Sequence, residues 1–173
     1  MFRALLLTLA LSGCGIAEQP KWARTVAAYE VPLPTAKDKA QFVQTLEQHA
    51  ERSGFHVDVA TQSELETMSE VSPITFSAAV WRGENDDEPI ASAMDFYDRI
   101  GRVWLTFSLG QNPERSKDFR ESLVPQLQFQ WPETRELPIM PSGAIPVTQD
   151  LIRKDDHYIV NPSAAAKYAD VEG

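Results

Sequence analysis

Ile74-Thr75-Phe76-Ser77-Ala78-Ala79-Val80-Trp81 and Arg102-Val103-Trp104-Leu105-Thr106-Phe107-Ser108-Leu109 decide the fold. Both stretches alternate with period two, the signature of a strand with one face on a core. In the first, Ile74, Phe76, Ala78 and Val80 point one way and Thr75, Ser77, Ala79 and Trp81 the other. In the second, Val103, Leu105, Phe107 and Leu109 oppose Arg102, Trp104, Thr106 and Ser108. Between them Pro89 to Tyr97 reads as a third strand, entered through the charged loop Gly83 to Glu88 and left through the tighter loop Asp98 to Gly101. Short loops between consecutive strands give an antiparallel meander.

Toward the N-terminus, a strand is expected over Arg24 to Val31, ended by Pro32 and Pro34. Thr35 then caps a helix in which Ala36, Ala40, Val43, Leu46 and Ala50 form an apolar stripe, and Gly54 stops it. Phe55, Val57 and Val59 alternate with His56 and Asp58 as another half-buried strand, and Gln62 to Glu70 reads as a short helix or turn.

Toward the C-terminus, Asn112-Pro113-Glu114 combines an N-cap, a proline at the first helical position and an acid in the first turn. Phe119, Leu123, Leu127 and Trp131 place that helix on the sheet, and Pro125 predicts a kink or an early end. From Pro132 onward prolines punctuate a stretch holding Leu137, Ile139, Met140 and Ile145, too apolar for a free tail and expected to wrap the domain. Leu151 to Val160 reads as a hairpin about Lys154-Asp155-Asp156, and Asn161-Pro162-Ser163 as the start of a last short helix through Tyr168. The expected class is α+β: an antiparallel sheet of about four to five strands, two main helices on one face, and an irregular proline-rich C-terminal segment.

Lys and Arg number 16 against 25 Asp and Glu, a net charge of −9 over 173 residues. Nucleic-acid binders need a basic face to displace phosphate counterions, so this balance argues against DNA or RNA and suits a basic protein partner.

The extreme N-terminus carries an address. Met1-Phe2-Arg3 is a short positive segment, and Ala4 to Leu11 is apolar apart from Thr8, too short to span a bilayer but suited to a secretory signal. Leu11-Ser12-Gly13-Cys14 follows directly and resembles the lipobox of bacterial lipoprotein precursors. The resemblance implies a signal peptide over 1–13, cleavage before Cys14, and acyl chains such as palmitate on its thiol and new amino group. Residues 14–23 would be anchor and tether, and 24–173 a single periplasmic domain. Two or more chains anchor a protein stably where one does not. Gly15, where an aspartate would retain the protein at the inner membrane, resembles the outer-membrane pattern. Cys14 is the one cysteine of the chain, so no disulfide competes for it.

The search for chemistry yields candidates rather than a motif. No zinc spacing, phosphate-cradling glycine loop or nucleophile elbow occurs, and no metal or cofactor is expected. His49 and His56, with Glu47, Glu51 and Asp58 nearby, form an acid–base set only if the fold brings them together. His157 beside Asp155 and Asp156 reads as a solvated hairpin tip. Glu84-Asn85-Asp86-Asp87-Glu88 lacks the spacing of an EF-hand, and Ser142 reads as a turn residue.

The most suggestive pattern is that Trp81 and Trp104 share the polar phase of their strands with Thr75, Ser77, Thr106 and Ser108. Left open, that face is a candidate binding surface; roofed by the C-terminal wrap, it is a second core layer. The leading functional expectation is a lipid-anchored, non-enzymatic interaction module, one version of which is an immunity protein. A periplasmic hydrolase and a structural envelope lipoprotein are the alternatives.

Overall fold

The computed structural model describes residues 21–70, 73–82, 89–96 and 99–168. The lipobox-like run with Cys14 and the acidic loop Glu84 to Glu88 lie outside those residues. No helix among the described residues is long and apolar enough to cross a membrane.

Strand β1 (Thr25–Pro32) leads through Thr35 into α1 (Ala36–Ser53). The helix starts there because Thr35 and Asp38 form a reciprocal capping box, the Asp38 amide donating to Thr35 Oγ1 and the Thr35 amide to Asp38 Oδ2, both at 3.1 Å. It stops at Gly54, whose φ of 70° lets its amide turn back onto the Ala50 and Glu51 carbonyls. Its buried stripe is Phe42, Thr45, Leu46 and Ala50. Ala36 and Ala40, expected in that stripe, are exposed because the larger Phe42 takes the core. Burying Phe42 and Leu46 contributes roughly 1.5–3 kcal/mol each.

β2 (His56–Val59) and α2 (Gln62–Ser69) follow, then the meander β3 (Ser77–Trp81), β4 (Ala91–Asp95) and β5 (Arg102–Ser108). Helix α3 (Pro113–Gln130) is capped by the Asn112 side chain, which accepts from the Arg115 amide at 3.2 Å. It runs through Pro125 rather than ending there. Pro125 and Glu121, whose carbonyl loses its usual amide partner, are both exposed, so the break in the helix ladder falls on the solvent side.

The sheet is larger than the sequence suggested. Its order is β2-β3-β4-β5-β1-β6-β8-β7, eight strands in which β6 (Arg135–Glu136) and the hairpin of β7 (Leu151–Lys154) and β8 (His157–Val160) extend the far side of β1. All pairings are antiparallel except β6 with β8. A two-residue strand has no periodicity to read, and the prolines around it disguise the chain's return to the sheet.

The two faces of the sheet have separate cores. On one, α1 and α3 pack Phe42, Leu46, Phe119, Leu123 and Leu127 against Val31, Val80, Leu105 and Phe107. Phe42 meets Phe76 and Trp131 edge-on, each at 6.0 Å, and Phe55 meets Phe119 at 5.4 Å. On the other, the C-terminal segment brings Leu137 and Tyr158 onto Ala28 and Trp104, with Phe96, Ile139, Ile145 and Leu151 around them.

A buried carboxylate closes the helix-side core. Asp95 Oδ1 accepts the amides of Thr75 and Phe76 at 2.8 Å each, while Oδ2 accepts the Thr75 hydroxyl and Lys39 Nζ, the latter at 3.1 Å. Burial works against its charge, but the hydrogen bonds from the Thr75 side chain and backbone and the Lys39 ammonium outweigh it and hold the carboxyl below the usual aspartate range. The network ties α1 to the start of β3 and the end of β4.

Candidate functional site

The sheet face away from the helices is divided, and the two tryptophans fall on opposite sides of the division. Trp104 stands opposite Glu30 on β1 and Met94 on β4, and only 8% of it is exposed. Its indole Nε1 donates to Glu30 Oε2 at 3.1 Å, and its ring meets Phe96 edge-on at 5.5 Å. Glu30, 1% exposed, also accepts from the Tyr158 hydroxyl at 2.7 Å and from Arg102 Nη1 at 3.1 Å, with Arg99 Nε 3.9 Å away. This satisfied network fastens the C-terminal layer to β1, reinforced by the Leu137 amide donating to the Ala28 carbonyl at 2.9 Å. Trp104 is therefore a core residue, not part of an open surface.

Trp81 lies two strands away, opposite His56 on β2, and no residue of the C-terminal layer packs on it within that second core. Partly exposed, it borders a cleft of about 670 Å³ between α2 and strands β2 and β3, together with Asp58, Glu64, Thr67, Met68 and Ser77. Its Nε1 is buried without a hydrogen-bond partner among the described residues.

The cleft exists because α2 stands off the sheet. No residue of α2 is buried. Local bonds hold it instead: the Thr61 amide donates to Glu64 Oε2 at 2.7 Å in a capping box, Gln62 Nε2 to Glu66 at 3.1 Å, and Ser69 Oγ bridges the amide and carbonyl of Ile74. The capping hydrogen bonds from the Thr61 backbone and side chain hold the Glu64 carboxyl below its usual range, so it is ionised at neutral pH.

The remaining members of the expected face scatter. Thr75 is not on it: its hydroxyl turns to Asp95 and Lys39 on the helix side, because the ladder of β3 begins only at Ser77 and the Thr75 amide goes to a carboxylate instead. Thr106 and Ser108 give their hydroxyls to the Ser92 and Pro89 carbonyls at 3.2 and 2.9 Å, and line a separate hollow of about 310 Å³ near Thr25. Of the six residues proposed for one surface, the structure keeps Trp81 and Ser77 at the cleft, puts Trp104 in the second core, and sends the others elsewhere.

The histidines occupy three separate places. His49 on α1 lies 3.5 Å from Ser122 Oγ on α3, its pKa lowered by burial and by Arg52. His56 Nε2 is 3.8 Å from the exposed Asp58, and His157 Nδ1 is 2.8 Å from Asp156 at the β7–β8 turn. None of the three borders the α2 cleft, and no group of three or more His, Cys, Asp or Glu among the described residues is placed to hold a metal ion. Ser142 accepts the Ala144 amide at 3.3 Å within its turn.

Two features had no clear signal in the sequence. Glu30 is a charged residue on a strand whose neighbours are buried on both faces, and its only hint was a polar phase shared with Trp104. The cleft required knowing that α2 would fail to pack. Compared with family models, with curated proteins and with solved structures, the chain matches none, so the geometry and the sequence carry the functional argument alone.

Proposed function

We propose that this chain is a lipid-anchored lipoprotein of the bacterial envelope whose domain is a non-enzymatic binding module, held through acylated Cys14 at the periplasmic face of the outer membrane. The observation that carries the binding half is the cleft beneath α2, where an apolar floor meets the Trp81 indole and the Asp58 and Glu64 carboxylates, and where the indole N–H, itself buried, has no acceptor among the described residues. Pockets with an apolar lining and a few directed polar groups are the usual form of a binding site. The lipobox-like run Leu11 to Cys14 supports the address, and the net charge of −9 favours a basic protein partner over nucleic acid. An immunity protein that neutralises a basic toxin is the specific form this reading takes.

Cys14→Ser tests the address: the protein should leave the membrane fraction and lose the added acyl mass that intact-mass spectrometry finds on the wild type. A Cys14→Ser protein that stays membrane-bound would overturn it. Photo-crosslinking the intact protein in its own envelope tests the binding half, which calls for a stoichiometric protein adduct.

A further inference from the structure

We infer that the α2 cleft takes a cationic, extended segment of a protein partner, with a lysine or arginine side chain set against Asp58 and Glu64; the inference rests on the binding-module reading. The two carboxylates supply the sign. Asp58 keeps 70% of its side chain in solvent, Glu64 is exposed, and no lysine or arginine stands among the residues lining the cleft. A phosphate, a nucleic acid or an anionic lipid headgroup would be repelled, whereas a guanidinium or ammonium would be drawn in and could rest on the Trp81 indole.

The backbone of the ligand answers the second requirement. Trp81 Nε1 is a buried donor with no acceptor among the described residues, and once the half-exposed ring turns toward the cleft, a peptide carbonyl is the acceptor an extended segment would bring. Edge strand β2 makes such a segment fit, because it pairs with β3 on one side and with no strand on the other among the described residues. An added strand draws affinity from main-chain hydrogen bonds and specificity from side-chain pockets. The contrast with the opposite half of the same face supplies the reason the site is open: there, Glu30 already fills the role of acceptor for Trp104 and of counter-charge for Arg102. At the cleft the carboxylates are in place, but no lysine or arginine lines it and the indole has no acceptor among the described residues.

The test uses the full-length protein, purified from membranes with tryptophan labelled by 15N, and a capped heptapeptide alternating lysine with threonine as probe. The Trp81 indole signal should move saturably with this peptide and stay still with the glutamate–threonine counterpart, while the Trp104 signal does not move. The Asp58→Asn, Glu64→Gln double variant should weaken binding at least tenfold. Met68→Arg should do the same by placing a cation in the cleft, and because no residue of α2 is buried this variant leaves the fold intact. Equal movement of both indoles, or lysine-peptide binding that survives both variants, overturns the inference. A photo-crosslinker at Met68 in the intact envelope should capture a partner peptide containing lysine or arginine. Adducts from a probe at exposed Phe129 but none from Met68 would overturn the cleft and keep the binding module; adducts from neither would overturn both.

Discussion

Trp104 and Trp81 sit in the same phase of strands in one sheet, yet one is sealed and the other borders a cleft. The difference lies in what arrives from elsewhere in the chain. Over Trp104, Glu30 of β1 accepts the indole proton and Tyr158 of β8 lies above it. Trp81 instead shares a cleft with α2, a helix held by its own caps. Alternation fixes which way a strand side chain points, but not whether anything covers it.

The heaviest blow to this contrast is Glu30→Ala. It leaves Arg102 without its buried acceptor and frees Trp104 and Tyr158 together, which should cost about 3–5 kcal/mol in urea unfolding. Hydrogen exchange should show lost protection in β8 ahead of β2 and β3; equal loss in all of them would break the division.

On the helix side, Asp95→Asn should cost less than the ~3–5 kcal/mol of a fully enclosed pair, since Lys39 keeps 20% of its side chain in water. Because the folded carboxyl titrates below its unfolded value of ~3.9, its contribution is fully present above that value and is lost as pH falls through the folded pKa. Unfolding curves from neutral pH down to pH 2 should therefore lose part of their acid-limb slope in the variant.

Replacing each indole by phenylalanine sharpens the comparison directly. Trp104→Phe strands a Glu30 lone pair and should destabilise by about 1–3 kcal/mol, while Trp81→Phe removes an unsatisfied donor and should fall within about 0.5 kcal/mol of zero or stabilise. Equal costs would mean the two sites are alike. The smallest effect on global stability belongs to Thr61→Ala, which removes the α2 cap at a local cost of about 0.5–2 kcal/mol. With no buried residue to couple it to the core, that loss should appear as local exchange in α2 with the global midpoint unchanged.

Much of the fold was legible in local pattern. The alternation around Phe76 and Phe107 gives two strands of the meander, Thr35 and Gly54 bracket α1, and Asn112-Pro113 starts α3, because each signal is satisfied within a few residues. The rest depends on distant partners. β6 is two residues long and exists only because β1 offers an open edge. Thr75 departs from its phase because Asp95, twenty residues on, captures its amide. Of the two readings of the face that Trp81 and Trp104 share, the roofed one holds over Trp104 and stops short of Trp81: the roof comes from residues 137–158, and no spacing near the strand announces how far it reaches.

The central claim is that one half of this sheet face is core and the other a binding cleft, and indole N–H hydrogen exchange of the native protein tests it most directly. Trp104 should exchange only as fast as global unfolding permits, whereas Trp81 should exchange at least a hundredfold faster, through local opening of α2, and slow when the lysine peptide is bound. Two indoles exchanging at one rate, unchanged by peptide, would contradict the claim.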